Sequence, residues 1–517
     1  MANNLPLQIR RGLHADLPIL DEGEPGYTTD THELYIGTGA TNIKIGIYCT
    51  SFSADIDAIG SSEETLIIHN QQNVIANKTV PSNITLKFQQ GGSLNISSGK
   101  TVTINGHVEA GLYQIFSGSG TVVFGSGSVK EVYPQWWGAK GDDVADDKAA
   151  LDAAILAHLH VELQAVTYRY SGKMSGLGVT GRKMQGKGSE RTIIHFVDNT
   201  VTALVEITNV GFADMRLSGI TFKGPGKAEG ANIKGFYSHD NIFEPSLNSL
   251  EDIRITDVSG DGIEILDWFS SRYRDVGVRN IGGNGIIIGD SLGISFINSG
   301  TFNDNVDGYS WWFHKGNPFI QGLNCANVAN GIQFGRAPGH PLGAGYCNPV
   351  LLGVNIEPLR AGGIGILFEQ GSNFYLGGNI QIFVNEGVVA LSGIKWEYMM
   401  NSGLLLGPVS FQGAGTYSGS KYDGTYASGH GSIMMLTADD FSADCSANIR
   451  LCSGNIGLNN LLIPGGRKMA WGTVAPVAGT WKVGDRVLNS IPSVGQPKSW
   501  VCTVAGTPGT WVSEGNL

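Results

Sequence analysis

A short motif recurs at a fixed interval in the middle of this chain. Asp261-Gly262-Ile263-Glu264-Ile265 is followed by Asn284-Gly285-Ile286-Ile287-Ile288, Asp307-Gly308-Tyr309-Ser310-Trp311 and Asn330-Gly331-Ile332-Gln333-Phe334, in steps of 23 residues. The pattern returns after longer gaps at Gly362-Gly363-Ile364-Gly365-Ile366 and Glu386-Gly387-Val388-Val389-Ala390. A second strand-like run accompanies the first three, at 253–255, 276–278 and 294–296. A polar residue and a glycine entering a short alternating strand, repeated at this period, predict a solenoid in which each coil contacts mainly its neighbours. The period fits one turn of a parallel β-helix: two or three short strands joined by tight turns.

Composition agrees. The chain has 517 residues, too many for one ordinary domain and enough to bury a large core. Its 75 glycines lack a collagen rhythm, and with 41% hydrophobic and only 15% charged residues they indicate many turns rather than disorder. A net charge of −11 excludes a general nucleic-acid binder, which needs a basic face. The six cysteines, at 49, 325, 347, 445, 452 and 502, are too few for a disulfide scaffold and lack a metal-binding spacing, so buried free thiols are expected, Cys445 and Cys452 included. The start has no apolar core of signal-peptide length and no run approaches a membrane span, which implies folding in a cytoplasm without fixing where the protein works.

The first segment alternates Leu7, Ile9, Leu17 and Ile19 before a turn-rich stretch, then forms a strand and glycine turn at Leu34–Gly39. Such a β module is marginal alone and gains from oligomerisation. Arg10-Arg11-Gly12, the run Gly23-Glu24-Pro25-Gly26-Tyr27-Thr28-Thr29-Asp30-Thr31 and Tyr35–Gly39 resemble the small N-terminal module of many bacteriophage tail fibres and spikes. From Leu66 to Val129, short strands separated by Gly, Ser and Asn read as irregular coils or a small sandwich, a shaft or adaptor.

Trp136-Trp137-Gly138-Ala139-Lys140-Gly141-Asp142-Asp143-Val144-Ala145-Asp146-Asp147 precedes Leu151, Ala154, Ile155, His158 and Leu159 at helical spacing. Asp146 or Asp143 can cap that helix, which would plug the otherwise open end of the solenoid. The aspartates at 142, 143, 146 and 147 read as turn and helix-start residues rather than a cation site. This arrangement resembles the opening of the pectate-lyase-like domain of phage tail spikes and related polysaccharide-cleaving proteins. It departs from the usual pattern at Trp137 and at Ala145, where a threonine is frequent. The resemblance implies a homotrimeric tail spike that binds and depolymerises a capsule or O-antigen at the host surface, joined to the tail or baseplate through its N-terminal module.

The expected fold is all-β: a right-handed parallel β-helix over 130–406 with a capping helix near 146–159. An attachment module over 1–47 and a neck over 48–129 precede it. A cap or trimerisation region over 407–474 and a small β module over 475–517 follow it.

Aligning the coils by their glycines predicts one inward column of Ile263, Ile286, Tyr309 and Ile332 and a second of Ile265, Ile288, Trp311 and Phe334. Glu264, Ile287, Ser310 and Gln333 then face outward, and Asp267, Asp290, Phe313 and Arg336 align beyond them. One coil rises about 4.8 Å, so Asp267 and Asp290 would lie near the carboxyl separation of retaining glycosidases, with Glu264 beside them. Aspartates at solenoid turns also serve as partners of turn amides. Glu357, Glu369 and His314 are further acid–base candidates; Asp304 and Asp307 belong to an Asn- and Asp-rich turn. Tyr309 and Trp311 are read as core, leaving Trp268 and Trp312 as sugar-stacking faces with Arg336 nearby. β-Elimination would instead need a base such as His314, Lys315 or Tyr309 and a cation such as Arg336. Glycoside hydrolysis by the acid pair is the favoured expectation, with elimination, a non-catalytic receptor-binding spike and a structural shaft as alternatives. Neither a cofactor nor a metal nor membrane insertion is expected.

Overall fold

The computed structural model describes residues 9–30, 33–208, 211–239, 247–266, 268–290, 295–336, 345, 347–369, 373–397, 403–406, 409–418, 422–425, 432–435, 449–451, 460–463 and 467–517. Its body is a parallel β-helix, and the right-handed crossover of parallel strands gives the coil its hand. Two sheets form most of the wall. One is built from long strands, among them Arg216–Lys223, Ser249–Val258, Arg272–Ile281, Phe319–Val328 and Val350–Leu359. The other, here called the front sheet, contains Ala203–Ile207, Lys234–Ser238, Ile263–Ile265, Ile286–Asp290, Tyr309–Lys315, Asn330–Phe334, Ile364–Phe368 and Ser392–Glu397 in sequence order.

Three stacked corners shape each coil, and each is marked by left-handed backbone. Asp214, Leu247 and Ser270 adopt positive φ two residues before their long strands. Gly219, Asp252, Asp275, Gly322, Gly353 and Gly378 do so inside them, so each long strand bends into two sides of the coil. At the third corner Asp257, Asn280, Asn305 and Asn327 align, with φ between 51 and 60°. Asn and Asp tolerate this region because their short side chains bond locally. Asn280 Nδ2 donates to Asp257 Oδ1 (2.6 Å) and Asn305 Nδ2 to Asn280 Oδ1 (2.9 Å), so the turns form a hydrogen-bonded ladder. One coil later the register brings Pro358, and Arg360 closes the ladder by donating to Asn305, Asn327 and Asp307. The Asn- and Asp-rich turn thus has a structural task at Asp307, which also pairs with Lys227 at 2.8 Å.

The interior is a stack of aligned side chains. Ile263, Ile286, Trp311, Ile332, Ile366 and Ile394 are all fully buried, and they follow one another in the front-sheet register. Beside them run Ile265, Ile288, Phe313, Phe334 and Phe368, the last three stacked at 5.3 and 5.2 Å between ring centroids. This register departs from the glycine alignment: Ile286 pairs with Trp311 and not Tyr309, and Ile288 with Phe313. The strand Ser295–Val306 bulges by two residues between Phe296 and Asn303, and the next coil is shorter to match. A slip of two keeps each side chain on its face, because the pleat has period two. The glycine marks the turn, while side-chain packing sets the ladder.

The coils begin earlier than expected from the sequence. Glu64–Ile68, Ile84–Phe88 and Val108–Glu109 stack as parallel strands. The sets Gln71–Val74, Ser93–Ile96, Phe116–Gly118 and Lys78–Val80, Thr101–Ile104, Thr121–Phe124 form two further sides. The neck is therefore a small three-sided β-helix rather than irregular coils or a sandwich. Helix α1 (Phe52–Ile59) covers its start with Phe52, Ile56 and Ile59. Helix α2 (Lys148–Ala157) buries Ala150, Leu151, Ala154 and Ile155 and packs against both the last neck strand and the first strand beyond it. An apolar stripe between two stacks of coils serves better as a plug than as a surface.

Asp147 precedes α2 but its carboxylate accepts the amides of Lys140 (2.6 Å) and Gly141 (3.0 Å), while Asp146 accepts from Lys148 N at the helix start (3.1 Å). Asp143 has no capping part; it bonds His195 Nδ1 at 2.7 Å. At the N-terminus, Arg10–Gly12, Pro25–Thr28, Glu33–Gly37 and Asn42–Tyr48 extend the first neck sheet. At the other end, strands from Asn460 to Ser513 form a separate five-stranded sheet over Ala470, Val487 and Trp500. Cys49, Cys325, Cys347 and Cys502 are buried free thiols, and burial pushes Cys325 up to about 12. Cys445 and Cys452 lie outside the described residues. Among the described residues no helix is long and apolar enough to cross a membrane.

Candidate functional site on the front sheet

The outward column of the front sheet runs Glu206, Tyr237, Glu264, Ile287, Trp312, Gln333, Leu367 and Lys395, each paired with the next. Alternation within every strand puts these residues on one face. Its middle is closed: Ile287, Gln333 and Leu367 are buried despite facing outward. Its first three coils are polar and half-buried.

Here the side chains converge. Lys173 pairs with Glu206 and Lys234 with Glu264. Lys234 Nζ lies 3.9 Å from the centre of the Tyr237 ring, a cation–π contact that fixes the ammonium over the aromatic face. His239, two residues along the same face, stacks on Tyr237 at 4.4 Å and 25°. Glu206 and Glu264 flank Tyr237 one coil to each side, so their backbones are about 9.6 Å apart at the usual strand spacing. The group holds two ammonium ions, two carboxylates, a phenol and an imidazole within three coils. Each ammonium is paired with a carboxylate, and the phenol and imidazole are groups able to move a proton.

Of the residues singled out in the sequence, Glu264 is at the centre of this group. Asp267 lies outside the described residues, as does the side chain of Asp290, whose backbone pairs with Lys315 instead of aligning with Phe313. Trp268 is a correction. It is fully buried, packed among Phe212, Phe236 and Tyr273, and its indole N–H donates to Ser238 Oγ (2.9 Å). The strand ends at Ile265, so alternation no longer governs Trp268 and the chain turns its ring into the core.

Trp312 does face outward and is half-buried, two coils from Glu264, with its indole N–H on the Gly335 carbonyl (3.0 Å) and its ring against His314 at 4.3 Å. His314 and Arg336 are each only 3% exposed, so neither offers the open base or cation proposed for it. Tyr309, expected in the core, is half-buried and pairs with Asn330, while Ser310 is buried rather than outward-facing in solvent. Glu369 accepts a hydrogen bond from Gln333 Nε2 (2.6 Å) four coils from Glu264. Glu357 is on the long-strand sheet beside Asn355 and so is on a different face. These acids are not brought together. Sequence reasoning missed Glu206, Tyr237, His239 and Lys234, because the repeat was anchored at Asp261 and the preceding coils have longer turns. Extending the alternation of Val205-Glu206-Ile207 and Phe236-Tyr237-Ser238 backwards would have placed Glu206 and Tyr237 in the column.

Comparison with known proteins adds three findings. Residues 7–41 match the Major tropism determinant N-terminal domain. Mannuronan C5-epimerase AlgE5 of Azotobacter vinelandii is 27% identical over 220 residues, 39% of this chain, and the chain spans only 21% of that protein. Among solved structures, the enzymatically active domain of tailspike protein 2 of bacteriophage CBA120 aligns over 59% of this chain and 47% of its own, at 15% identity and a TM-score of 0.39. The A-module of mannuronan C-5 epimerase AlgE4 of Azotobacter vinelandii aligns over 59% of this chain and 96% of its own, at 15% identity and 0.35. A segment similar to the Major tropism determinant N-terminal domain thus precedes a right-handed parallel β-helix.

Proposed function

We propose that this chain is a phage tail spike that binds a polyanionic bacterial surface polysaccharide along the front sheet and cleaves it by β-elimination at a uronate. The observation that carries this reading is the cluster of Lys234, Tyr237 and His239 in the first open coils of that sheet. Elimination removes the proton α to the uronate carboxylate, so it needs a base and a cation that offsets charge on the carboxylate. Tyr237 and His239 lie together as proton acceptor and donor, and Lys234 and Lys173 supply the positive charge by exchanging their glutamate partners for the uronate carboxylate. As the base takes the proton, the C4–O bond breaks and the leaving oxygen takes a proton from the partner group. The match to mannuronan epimerases supports a uronate substrate. Reprotonation from the opposite face without bond cleavage would give epimerisation from the same first step.

Hydrolysis is the second reading, favoured by Glu206 and Glu264 two coils apart, near the wider separation used by inverting glycosidases. A lysine already bonds each carboxylate, which argues against either one being free to act on a sugar. Asp267 and Asp290 remain candidates for the same work. The N-terminal module attaches the spike to the tail or baseplate, and three copies form the working spike at the host surface.

The test is incubation of the purified chain with a panel of uronate-containing capsules and with alginate. Shortened chains with absorbance from an unsaturated uronate support elimination. New reducing ends without that absorbance would move the assignment to hydrolysis, and unshortened chains with changed uronate stereochemistry to epimerisation. Binding without any chemical change would overturn the enzyme.

A further inference from the structure

A second group of side chains lies away from the front sheet, where the neck meets the main coils. Val132 and Val161 pair as an isolated parallel bridge, which brings Glu131 beside the strand His160–Glu162. One ligand-type atom from each of Glu131, His160 and Glu162 falls within 4.8 Å of the others. One oxygen of each carboxylate is already engaged: Tyr133 Oη donates to Glu131 Oε1 (2.6 Å) and Lys187 Nζ bonds Glu162 Oε1. What they leave facing one another are Glu131 Oε2, Glu162 Oε2 and the imidazole.

His160 Nε2 is buried and has no hydrogen-bond partner among the described residues. It stands 3.7 Å from Glu162 Oε2, too far for a hydrogen bond, and Glu131 Oε2 lies 3.9 Å from the other ring nitrogen. A buried ring nitrogen without a hydrogen-bond partner, with a carboxylate oxygen on either side of the ring, marks a place that a cation can fill.

We propose that Glu131, His160 and Glu162 bind one zinc-class divalent cation, with water completing the coordination. One imidazole and two carboxylates suit zinc, whose ligand atoms in a tetrahedral site lie about 3.3 Å apart, so groups within 4.8 Å of one another need draw together by at most about 1.5 Å. The ligands bracket the segment that carries the Pro134–Trp137 turn and α2, so the ion ties the end of the neck to the first main coil across the plug. Its role is structural, and it lies outside the polysaccharide face.

The experiment is calorimetric titration of zinc chloride into chelator-stripped full-length chain, with thermal unfolding followed alongside. One zinc per chain and a raised melting temperature are expected. His160→Ala and Glu131→Gln should each weaken binding at least a hundredfold, while His107→Ala, which removes an exposed histidine of the neck, should leave it unchanged. Cobalt bound to the unaltered chain should give tetrahedral absorption bands, a readout independent of whether the variants fold. No saturable zinc binding, binding that survives both ligand substitutions, or the absence of those cobalt bands would overturn the proposal.

Discussion

Asn280 offers a direct measure of what the asparagine ladder contributes. Its side chain gives one hydrogen bond to Asp257 (2.6 Å) and accepts one from Asn305 (2.9 Å), at a φ of 57°. Asn280→Ala removes both bonds, about 1 kcal/mol each for partly buried pairs. It also places a side chain without local hydrogen bonding in left-handed backbone, for about 1 kcal/mol more. The expected loss is about 3 kcal/mol. Asn280→Gly loses the same bonds but escapes the backbone cost, so it should lie closer to about 2 kcal/mol, plus a small entropic term from the freer unfolded chain. Urea unfolding followed by tryptophan fluorescence, compared through midpoints at constant slope, measures the difference. If the alanine and glycine variants coincide, the backbone argument fails. If both stay within about 0.5 kcal/mol of the parent, the ladder is not a stabilising element.

Phe334→Ala, in the middle of the phenylalanine stack, should cost about 3–5 kcal/mol, and Phe334→Leu clearly less, in the same unfolding assay. Tyr237→Phe keeps the ring under Lys234 and should lower polysaccharide cleavage at least about a hundredfold with little change in melting temperature. Lys234→Met should weaken binding to an anionic polymer, seen as a higher KM with reduced sensitivity to salt. For Asp307, burial raises the carboxyl pKa, but Lys227 and Arg360 outweigh it and hold the folded value below the ordinary one. A depressed folded pKa gives stability that is present above about pH 3.9 and is lost as pH falls through the lower folded value. The melting temperature of Asp307→Asn should therefore fall less than that of the parent on acidification below about pH 4.

Much of the architecture could be read from the chain because β-helices repeat locally. Alternation at Ile263-Glu264-Ile265 and Ile286-Ile287-Ile288 predicts which side chains enter the core, and a period of 23 predicts the coil. The same reasoning erred at Trp311, where a two-residue bulge in the strand before it shifted the register, and at Trp268, where the strand had already ended. It also misjudged His314 and Arg336, whose burial depends on what covers an outward position.

The sequence by itself determined that this chain coils, where its glycine and asparagine turns fall, and that Ile and Phe line the interior, because those properties depend on neighbours along the chain and one coil away. Only the tertiary structure decided which coils pair with which, and hence that Glu206, Tyr237 and Glu264 form one open column while Ile287 and Leu367 are covered. It alone brought Glu131 to His160 and Glu162 across the plug helix. Those groupings join residues separated by turns of unequal length, and packing of the coils, not a fixed spacing, sets their register.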